Sequence, residues 1–285
     1  MEKRVLGKTG EKVSIIAFGG IVLMNSDAAA ADELVSYSVD EGINYFDIAP
    51  GYGNAINLLG PALKPYRDSV FLACKTAYRT KDQADKELVK SLEIMKTDHF
   101  DLYQIHAINN LEEVEQVFGP DGVIKTLVQA RKKGIVKHLG FSAHSETAAL
   151  EMVRRFDFDT VMIGINWPCW FGSNFGPRII KNARGKNLGI IAIKAFAKRN
   201  WKDKAERTRC PNCWYCPVES YEEALLGLRF TLSLPVTAAI APGHPTLLKW
   251  ACRAAQNFEP VDINTYKELL QENSDFEPIF PQKKG

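Results

Sequence analysis

The chain has 285 residues, 46% of them hydrophobic and 25% charged, and its formal net charge is +2. That length and apolar content suit one large domain with a sizeable core. Because acids and bases are interleaved and no basic stripe is present, we expect no nucleic-acid partner. The start of the chain lacks the apolar stretch of a secretory signal, and the longest apolar run, residues 188–193, is far shorter than a membrane span. We therefore expect a cytoplasmic protein without a membrane partner.

Short apolar runs alternate with longer amphipathic runs along the whole chain. The short runs predict eight strands, at residues 14–18, 44–46, 70–74, 102–105, 138–141, 161–165, 189–193 and 238–241. Each run is apolar nearly throughout, as expected of parallel strands that are covered on both faces. The first helical face, residues 31–38, begins after Ser26 or Asp27 and ends before Gly42. Eight strand–helix alternations predict an α/β fold, a (β/α)₈ TIM barrel rather than an open doubly wound sheet.

Three segments lie outside this alternation. Residues 3–14 carry the turn signal Lys8-Thr9-Gly10 and predict an N-terminal β-hairpin that closes the barrel floor. Residues 197–220 predict a long irregular connection, which is usually a functional or mobile segment. The tail from about residue 275, with Pro278 and Pro281, is expected to be irregular. No composition break divides the chain, so residues 1–285 are predicted to form a single barrel domain.

Polar side chains stand where the predicted strands end. Asp47 follows the second strand, Tyr52 lies in its loop, Lys75 follows the third strand and His106 the fourth. In a parallel barrel these positions share one mouth, where catalytic groups gather. A lysine ammonium beside a tyrosine favours the phenolate and lowers the tyrosine pKa, and Asp47 would hold that lysine charged. This set suits proton donation to an alkoxide, with His106 bound to the substrate oxygen.

Several motifs resemble those of the aldo-keto reductase family. They are residues 6–10 (LGKTG), 46–53 (FDIAPGYG), 59–64 (LGPALK), 102–106 (LYQIH) and 135–142 (IVKHLGFS), which occur in the family's order. The resemblance implies a NAD(P)H-dependent oxidoreductase that reduces an aldehyde or ketone to an alcohol. It implies the catalytic residues Asp47, Tyr52, Lys75 and His106, with Tyr52 as general acid and a small-molecule carbonyl as substrate.

No Gly-x-Gly-x-x-Gly motif follows the first strand, so a Rossmann site is not supported. The same resemblance implies instead that a dinucleotide lies across the barrel mouth. Its implied contacts come from the ends of several strands: Gly20, Ile21, Ser142, Asn166, Lys194, Pro242, Gly243 and Thr246. Ser142 and Asn166 would hold the nicotinamide carboxamide. Lys194 and the helix that begins near Thr246 would hold phosphate.

Two positions depart from the family's pattern. The strand-six glutamine of the family is matched here by Met162, and His244 with Pro245 replaces an arginine after the eighth strand. Lys249 and Arg253 lie one turn apart on the last predicted barrel helix. We expect them to bind a 2′-phosphate, which favours NADP(H) over NAD(H); a solvated basic face is the alternative.

Three cysteines, Cys210, Cys213 and Cys216, lie in the long connection with C-x₂-C-x₂-C spacing. That spacing overlaps zinc and iron–sulfur patterns, although both usually take a fourth ligand. A metal or Fe–S site and a rigid loop are therefore both open.

Aromatic residues are frequent in the loops after the sixth and seventh strands. They are Trp167, Trp170, Phe171, Trp201, Trp214 and Tyr215. They predict either an apolar wall of the substrate pocket or loop packing onto helices. Two alternatives to the reductase also stand: a non-catalytic nucleotide-binding barrel that acts as a sensor or regulatory subunit, and a metal-assisted or Fe–S-assisted redox protein that uses the three cysteines.

Overall fold

The computed structural model describes residues 1–280, and within them eight parallel strands close into a barrel. The strands follow chain order around the barrel, and the last of them pairs with the first to close it. The bounds of these strands are β3 Ile16–Gly19, β4 Tyr45–Asp47, β5 Phe71–Thr76, β6 Phe100–Ile108, β7 Val136–Ala143, β8 Thr160–Gly164, β9 Gly189–Ile193 and β12 Ala238–Ile240. All eight predicted strands are thus present, and the predicted TIM barrel is confirmed.

Helices pack around the barrel between the strands. They are α1 Ala28–Asp40, α2 Ala55–Leu63, α3 Lys81–Met95, α4 Leu111–Phe118, α5 Ile124–Lys132, α6 Glu146–Arg155, α7 Trp167–Ser173, α8 Pro177–Gly185, α9 Lys204–Arg207, α10 Tyr221–Ser233, α11 Pro245–Gln256 and α12 Thr265–Glu272. Helix α1 buries the predicted face, and the Asp27 side chain accepts a hydrogen bond from the Ala30 amide at 2.9 Å, which caps its N-terminus.

The N-terminal hairpin closes the barrel floor as predicted. Strands β1 (Lys3–Val5) and β2 (Lys12–Ser14) pair antiparallel. Leu6, in the turn between them, is fully buried and packs on Gly189 at the start of β9. Leu6 belongs to the barrel-interior cluster together with Val13 and Met162. The hairpin therefore fills the amino-terminal end of the barrel and leaves the carboxyl-terminal end open for a site.

The predicted irregular connection at residues 197–220 is wrong in part. It contains a two-stranded antiparallel ladder, β10 (Ala197–Arg199) with β11 (Cys216–Pro217), and the short helix α9. Arg199 makes a buried ion pair with Glu206, which fixes α9 against the ladder. Residues 275–280 are irregular, as predicted, and the remainder of the predicted tail lies outside the described residues. No helix within 1–280 combines the length and the apolar content needed to cross a bilayer.

Candidate active site

A buried ion pair forms the base of the barrel mouth. Asp47 ends β4 and Lys75 lies in the neighbouring strand β5, and the Lys75 ammonium donates a hydrogen bond to the Asp47 carboxylate. The Lys75 ammonium also donates to the Ile48 carbonyl at 3.3 Å. Gln104 Nε2 donates to the second oxygen of Asp47 at 3.1 Å. The carboxylate is thus held by Lys75 and Gln104, which are paired neighbours on the adjacent strands β5 and β6.

Tyr52 and His106 lie above this pair. Lys75 Nζ is 5.4 Å from the centroid of the Tyr52 ring and interacts with its hydroxyl. The His106 ring meets the Tyr52 ring edge-on, with 5.9 Å between centroids and 85° between planes. A turn positions Tyr52, whose amide donates to the Ala49 carbonyl at 3.1 Å. The structure therefore brings the four predicted catalytic residues together at one mouth.

Burial and charge set the protonation of these groups. Burial raises the pKa of the Tyr52 hydroxyl above its usual value, against the opposing effect of the Lys75 ammonium. The expected net lowering of this pKa by Lys75 is therefore not found. Burial lowers the pKa of His106 to about 3, and the Lys75 charge adds to that shift. Tyr52 is thus a protonated phenol and His106 a neutral imidazole near pH 7.

The ion pair resists deprotonation of its lysine. Burial alone would lower the pKa of Lys75, but the carboxylate of Asp47 outweighs it and raises that pKa. Burial raises the pKa of the Asp47 carboxyl, although Lys75 opposes the change. Because the ammonium stays charged, it can stabilise a negative charge that develops on Tyr52.

Strand β6 bulges at the active-site histidine. Its pairing with β7 shifts register between Ile105 and Ile108, and Ala107 has φ of +56°, which is costly for a residue with a side chain. Arg79 Nη2 donates to the carbonyls of His106 at 2.8 Å and Ala107 at 3.0 Å. Glu113 accepts from the same nitrogen at 2.7 Å. Arg79 therefore holds the bulge that presents His106, a contribution that sequence patterning did not indicate.

The residues expected to border the nicotinamide lie at the ends of β3 and β12. A Cβ atom added to Gly20 would come within 2.4 Å of Ile48 Cδ1, so this position has no room for a side chain. A Cβ atom at Gly243 would lie 2.9 Å from the Asn212 carbonyl oxygen and 3.2 Å from Ile21 Cγ2. Gly20, Ile21 and Gly243 thus form a tight rim. Pro242 is buried beside this rim.

The two residues expected to hold the carboxamide already have protein partners. Ser142 Oγ accepts a hydrogen bond from the Ala107 amide at 2.7 Å. Asn166 Oδ1 accepts from the Cys169 amide at 2.9 Å and caps α7, while its Nδ2 donates to the Lys194 carbonyl at 3.3 Å. Both side chains stand at the predicted strand ends. The structure shows them bracing the bulge of β6 and the start of α7.

Lys194 lies at the mouth beyond β9, in a cluster that the sequence did not indicate. Its φ is +66°, its Nζ lies 3.2 Å from His144 Nδ1, and the Phe280 ring centroid is 4.7 Å away. Phe280 also stacks on Phe175, with 4.6 Å between centroids. Burial lowers the pKa of Lys194 to about 8, and no carboxylate of the described residues counters that shift. The cluster therefore presents a half-buried cation near His106, whose pKa it also lowers.

Met162, the residue expected to match the family's strand-six glutamine, lies in the barrel interior below the mouth. Its side chain belongs to the barrel-interior cluster. Residues two apart on a strand share a face, so Gly164 is the mouth position of β8. A Cβ atom at Gly164 would lie 2.5 Å from Phe280 Cε2. The aromatic ring of the tail thus covers the place where a strand-six side chain would project.

Lys249 and Arg253 extend to different neighbours from the exposed side of α11. Lys249 Nζ lies 5.5 Å from the Tyr37 ring centroid, and the Arg253 guanidinium lies 4.0 Å from that of Tyr221. Their cationic heads therefore do not converge in this structure. Thr246 lies in the first turn of α11, but the N-cap is His244, whose Nδ1 accepts from the Thr246 amide at 3.2 Å.

The three cysteines of the long connection do not converge as a ligand set. No group of three or more His, Cys, Asp or Glu side chains within residues 1–280 could hold a metal ion. Cys216 Sγ lies 3.8 Å from Arg209 Nη2 and 3.7 Å from the Pro217 carbonyl, whereas Cys210 and Cys213 close a turn in which the Cys213 amide donates to the Cys210 carbonyl at 2.9 Å. The described residues thus show no metal-ligand set at Cys210, Cys213 and Cys216.

The aromatic residues of these loops mostly pack onto helices. Trp167 packs on Phe276 with 4.5 Å between ring centroids, and Trp170 and Phe171 both pack on Phe230 of α10. Trp214 is 69% exposed. Packing is thus the better of the two predicted explanations.

Comparison with known proteins places the chain in a family. The sequence model of the aldo/keto reductase family matches residues 16–212, which is more than half of the chain. An aldo-keto reductase of Bacillus subtilis, YhdN, is 32% identical over 164 residues, or 51% of this chain and 48% of that protein. The 6-dehydroglucose reductase of Novosphingobium aromaticivorans is 33% identical over 159 residues, or 49% of this chain and 50% of that protein. These matches span about half the length of either relative.

A solved structure agrees over nearly the full chain. The holo form of an aldo-keto reductase from Bacillus halodurans superposes with a TM-score of 0.74 and 19% identity, and the match covers 99% of this chain and 100% of that one. At that identity the likeness supports the barrel fold.

Proposed function

The chain belongs to the aldo/keto reductase family, and from this premise we propose that it reduces an aldehyde or ketone to an alcohol with NADPH. The observation that carries the proposal is the position of the Tyr52 phenol between the Lys75 ammonium and the His106 ring. When bound, the nicotinamide would supply the hydride. The protein would supply the proton, the orientation of the carbonyl and the charge of the site.

Tyr52 is the proposed proton donor. Because burial raises its pKa, the phenol keeps its proton until an alkoxide forms beside it. Lys75 then lies where its charge stabilises the phenolate, and Asp47 prevents the ammonium from losing its own proton. Neutral His106 can donate a hydrogen bond to the carbonyl oxygen without competing as an acid.

The mouth has features that fit an anionic cofactor. Lys194 is a half-buried cation without a carboxylate partner among the described residues, and a cation withdrawn from water is costly unless a counter-charge is supplied. Helix α11 begins beside Gly243 and directs its positive dipole end to the same rim. We infer that Lys194, Pro242, Gly243 and Thr246 hold phosphate, and that Gly20, Ile21, Ser142 and Asn166 border the nicotinamide.

The preference for NADPH is proposed to depend on α11. Lys249 and Arg253 are exposed there, and their cationic heads stack on Tyr37 and Tyr221. We propose that they turn toward a 2′-phosphate. This requires at least one of the two cationic heads to move off the tyrosine ring that it contacts. Dissociation constants for NADPH and NADH, measured on wild type, Lys249→Met and Arg253→Met, test this. Equal wild-type constants would refute it, and Lys202→Met is a matched control.

The reductase itself is tested with a panel of aldehydes and ketones, monitored by loss of NADPH absorbance. We expect turnover by wild type and a loss of at least about 100-fold for Tyr52→Phe with NADPH binding unchanged. NADPH binding without turnover on any carbonyl would instead support the nucleotide-sensing barrel.

A further inference from the structure

The segment Cys210-Pro211-Asn212-Cys213 forms a tight turn that places two thiols together. The Cys213 amide donates to the Cys210 carbonyl at 2.9 Å, and the two thiols are close enough to shift each other's pKa. Cys216 does not join them, because its sulfur lies against Arg209 and the Pro217 carbonyl. The turn therefore selects one pair from the three cysteines of this segment.

The two thiols of the pair differ in exposure and in acidity. All six cysteines of the chain are free, and Cys210 is the one that is not buried. Cys210 lines a surface cavity together with Arg209, Trp201 and His244. The hydrogen bond from Cys213 and the charge of Arg209 lower the pKa of the Cys210 thiol to about 7. Cys213 is 2% exposed, and the hydrogen bond to Cys210, together with burial, raises its pKa.

This arrangement pairs an accessible nucleophile with a buried resolving group. A thiolate attacks a disulfide more readily when it is exposed and stabilised by a nearby cation. A second thiol three residues along the chain can then displace the first adduct, because the turn holds it nearby. C-x-x-C spacing in a protein with βαβ units is also typical of a redox dithiol.

We propose that Cys210 and Cys213 form a redox-active dithiol that low-molecular-weight disulfides oxidise to an intrachain disulfide. The Cys210 thiolate attacks one sulfur of the disulfide, which forms a mixed disulfide and releases one thiolate that takes up a proton. The Cys213 thiol then loses its proton and attacks the Cys210 sulfur, and the second small thiol leaves. Two electrons and two protons pass from the protein dithiol to the small disulfide, which becomes two thiols.

The dithiol joins two loops of the barrel mouth. Asn212 Nδ2 donates to the Met24 carbonyl at 2.9 Å, in the loop after β3. Gly243, in the loop after β12, lies against the same turn, because a Cβ atom added to it would come within 2.9 Å of the Asn212 carbonyl oxygen. The Cys213 carbonyl accepts from Trp201 Nε1 at 3.0 Å. Oxidation therefore changes a turn that contacts the rim directly, and Cys210 stays accessible from the surface cavity.

The test uses the full chain, fully reduced and then incubated with oxidised glutathione at pH 8. Peptide mass spectrometry and a thiol count follow the products. We expect a Cys210–Cys213 disulfide, a loss of two thiols per chain, and full recovery with dithiothreitol. Cys213→Ser should stop at a stable glutathione adduct on Cys210, Cys210→Ser should give neither product, and Cys216→Ser, the matched control, should behave as wild type.

Three results would overturn the proposal. They are an unmodified Cys210 in the folded wild type, a disulfide that uses Cys216 in its place, and one zinc or iron per purified chain whose removal frees these thiols. The Cys213→Ser adduct keeps the test informative if Cys210→Ser fails to fold. None of these readouts depends on dinucleotide binding or turnover, so their failure is distinct from failure of the proposed reductase.

Discussion

Replacing Lys75 by Met leaves a carboxylate without its cation in a place that water hardly reaches. The side chains of Lys75 and Asp47 are 1% and 3% exposed. An unpaired buried Asp47 is expected to take up a proton instead of remaining charged. If Asp47 stays protonated in the folded variant, the free energy of unfolding falls by about 1.4 kcal/mol for each pH unit above the unfolded pKa of about 3.9. That gives a loss of up to roughly 4 kcal/mol at pH 7 and roughly 1.5 kcal/mol at pH 5.

The sign of this pH dependence follows from the direction of the shift. In the variant the pKa of Asp47 is raised above its unfolded value, so the folded state binds the extra proton. Its stability is then greatest at low pH and falls as the pH rises toward the raised pKa. Urea unfolding followed by tryptophan fluorescence at pH 5 and pH 7 measures the deficit against wild type.

The double variant Lys75→Met/Asp47→Asn is the control, because it has no carboxyl to titrate at this position. Its deficit should be the same at both pH values. The reasoning is refuted if Lys75→Met alone loses less than about 1 kcal/mol at pH 7, which is typical of a solvent-exposed pair, or if its deficit does not change with pH.

The remaining predictions concern the histidine, the bulge and the tail. Because the pKa of His106 is lowered to about 3, the kcat/KM profile should show no acid limb between pH 5 and 7, and a limb near 6.5 that His106→Gln removes would contradict this. Arg79→Lys should lower kcat about tenfold with the NADPH Kd unchanged, because the variant loses one or two hydrogen bonds to the β6 bulge. Glu113→Gln should have a smaller effect on kcat. Equal effects on kcat and Kd would argue for general unfolding. Gly164→Ala should displace the Phe280 ring and make limited proteolysis of the tail faster. The control is Gly185→Ala, where an added Cβ meets nothing within 4 Å, and it should not change the rate. Identical digestion rates would contradict the described position of Phe280.

Much of the barrel could be predicted because its signals are local. Each parallel strand is a short apolar run, and the polar residue at its end marks the open mouth, so Asp47, Lys75 and His106 could be located before any coordinates. Tyr52, in the loop after the second strand, could be placed with them, and the resemblance to the family then implied the same four residues. Register within a strand was less certain, because Met162 and Gly164 differ by one repeat of the pleat.

The parts that could not be predicted depend on contacts between distant segments. Phe280 reaches Gly164 and Lys194 from the end of the chain, and no periodicity indicates that approach. The hold of Arg79 on the β6 bulge depends on a register shift that a single sequence does not mark. The cysteine spacing suggested a metal, but the fold turned Cys216 toward Arg209 and left a pair.

The most direct test of the active-site assignment is a kinetic double-mutant cycle at Tyr52 and Lys75, measured as kcat for carbonyl reduction. If Lys75 acts through the Tyr52 phenol, Tyr52→Phe and Lys75→Met should each lower kcat by about 100-fold or more, and the double variant should be about as slow as Tyr52→Phe alone. Two losses that multiply in the double variant would show that these groups act independently, and a fully active Tyr52→Phe would show that the proton comes from elsewhere.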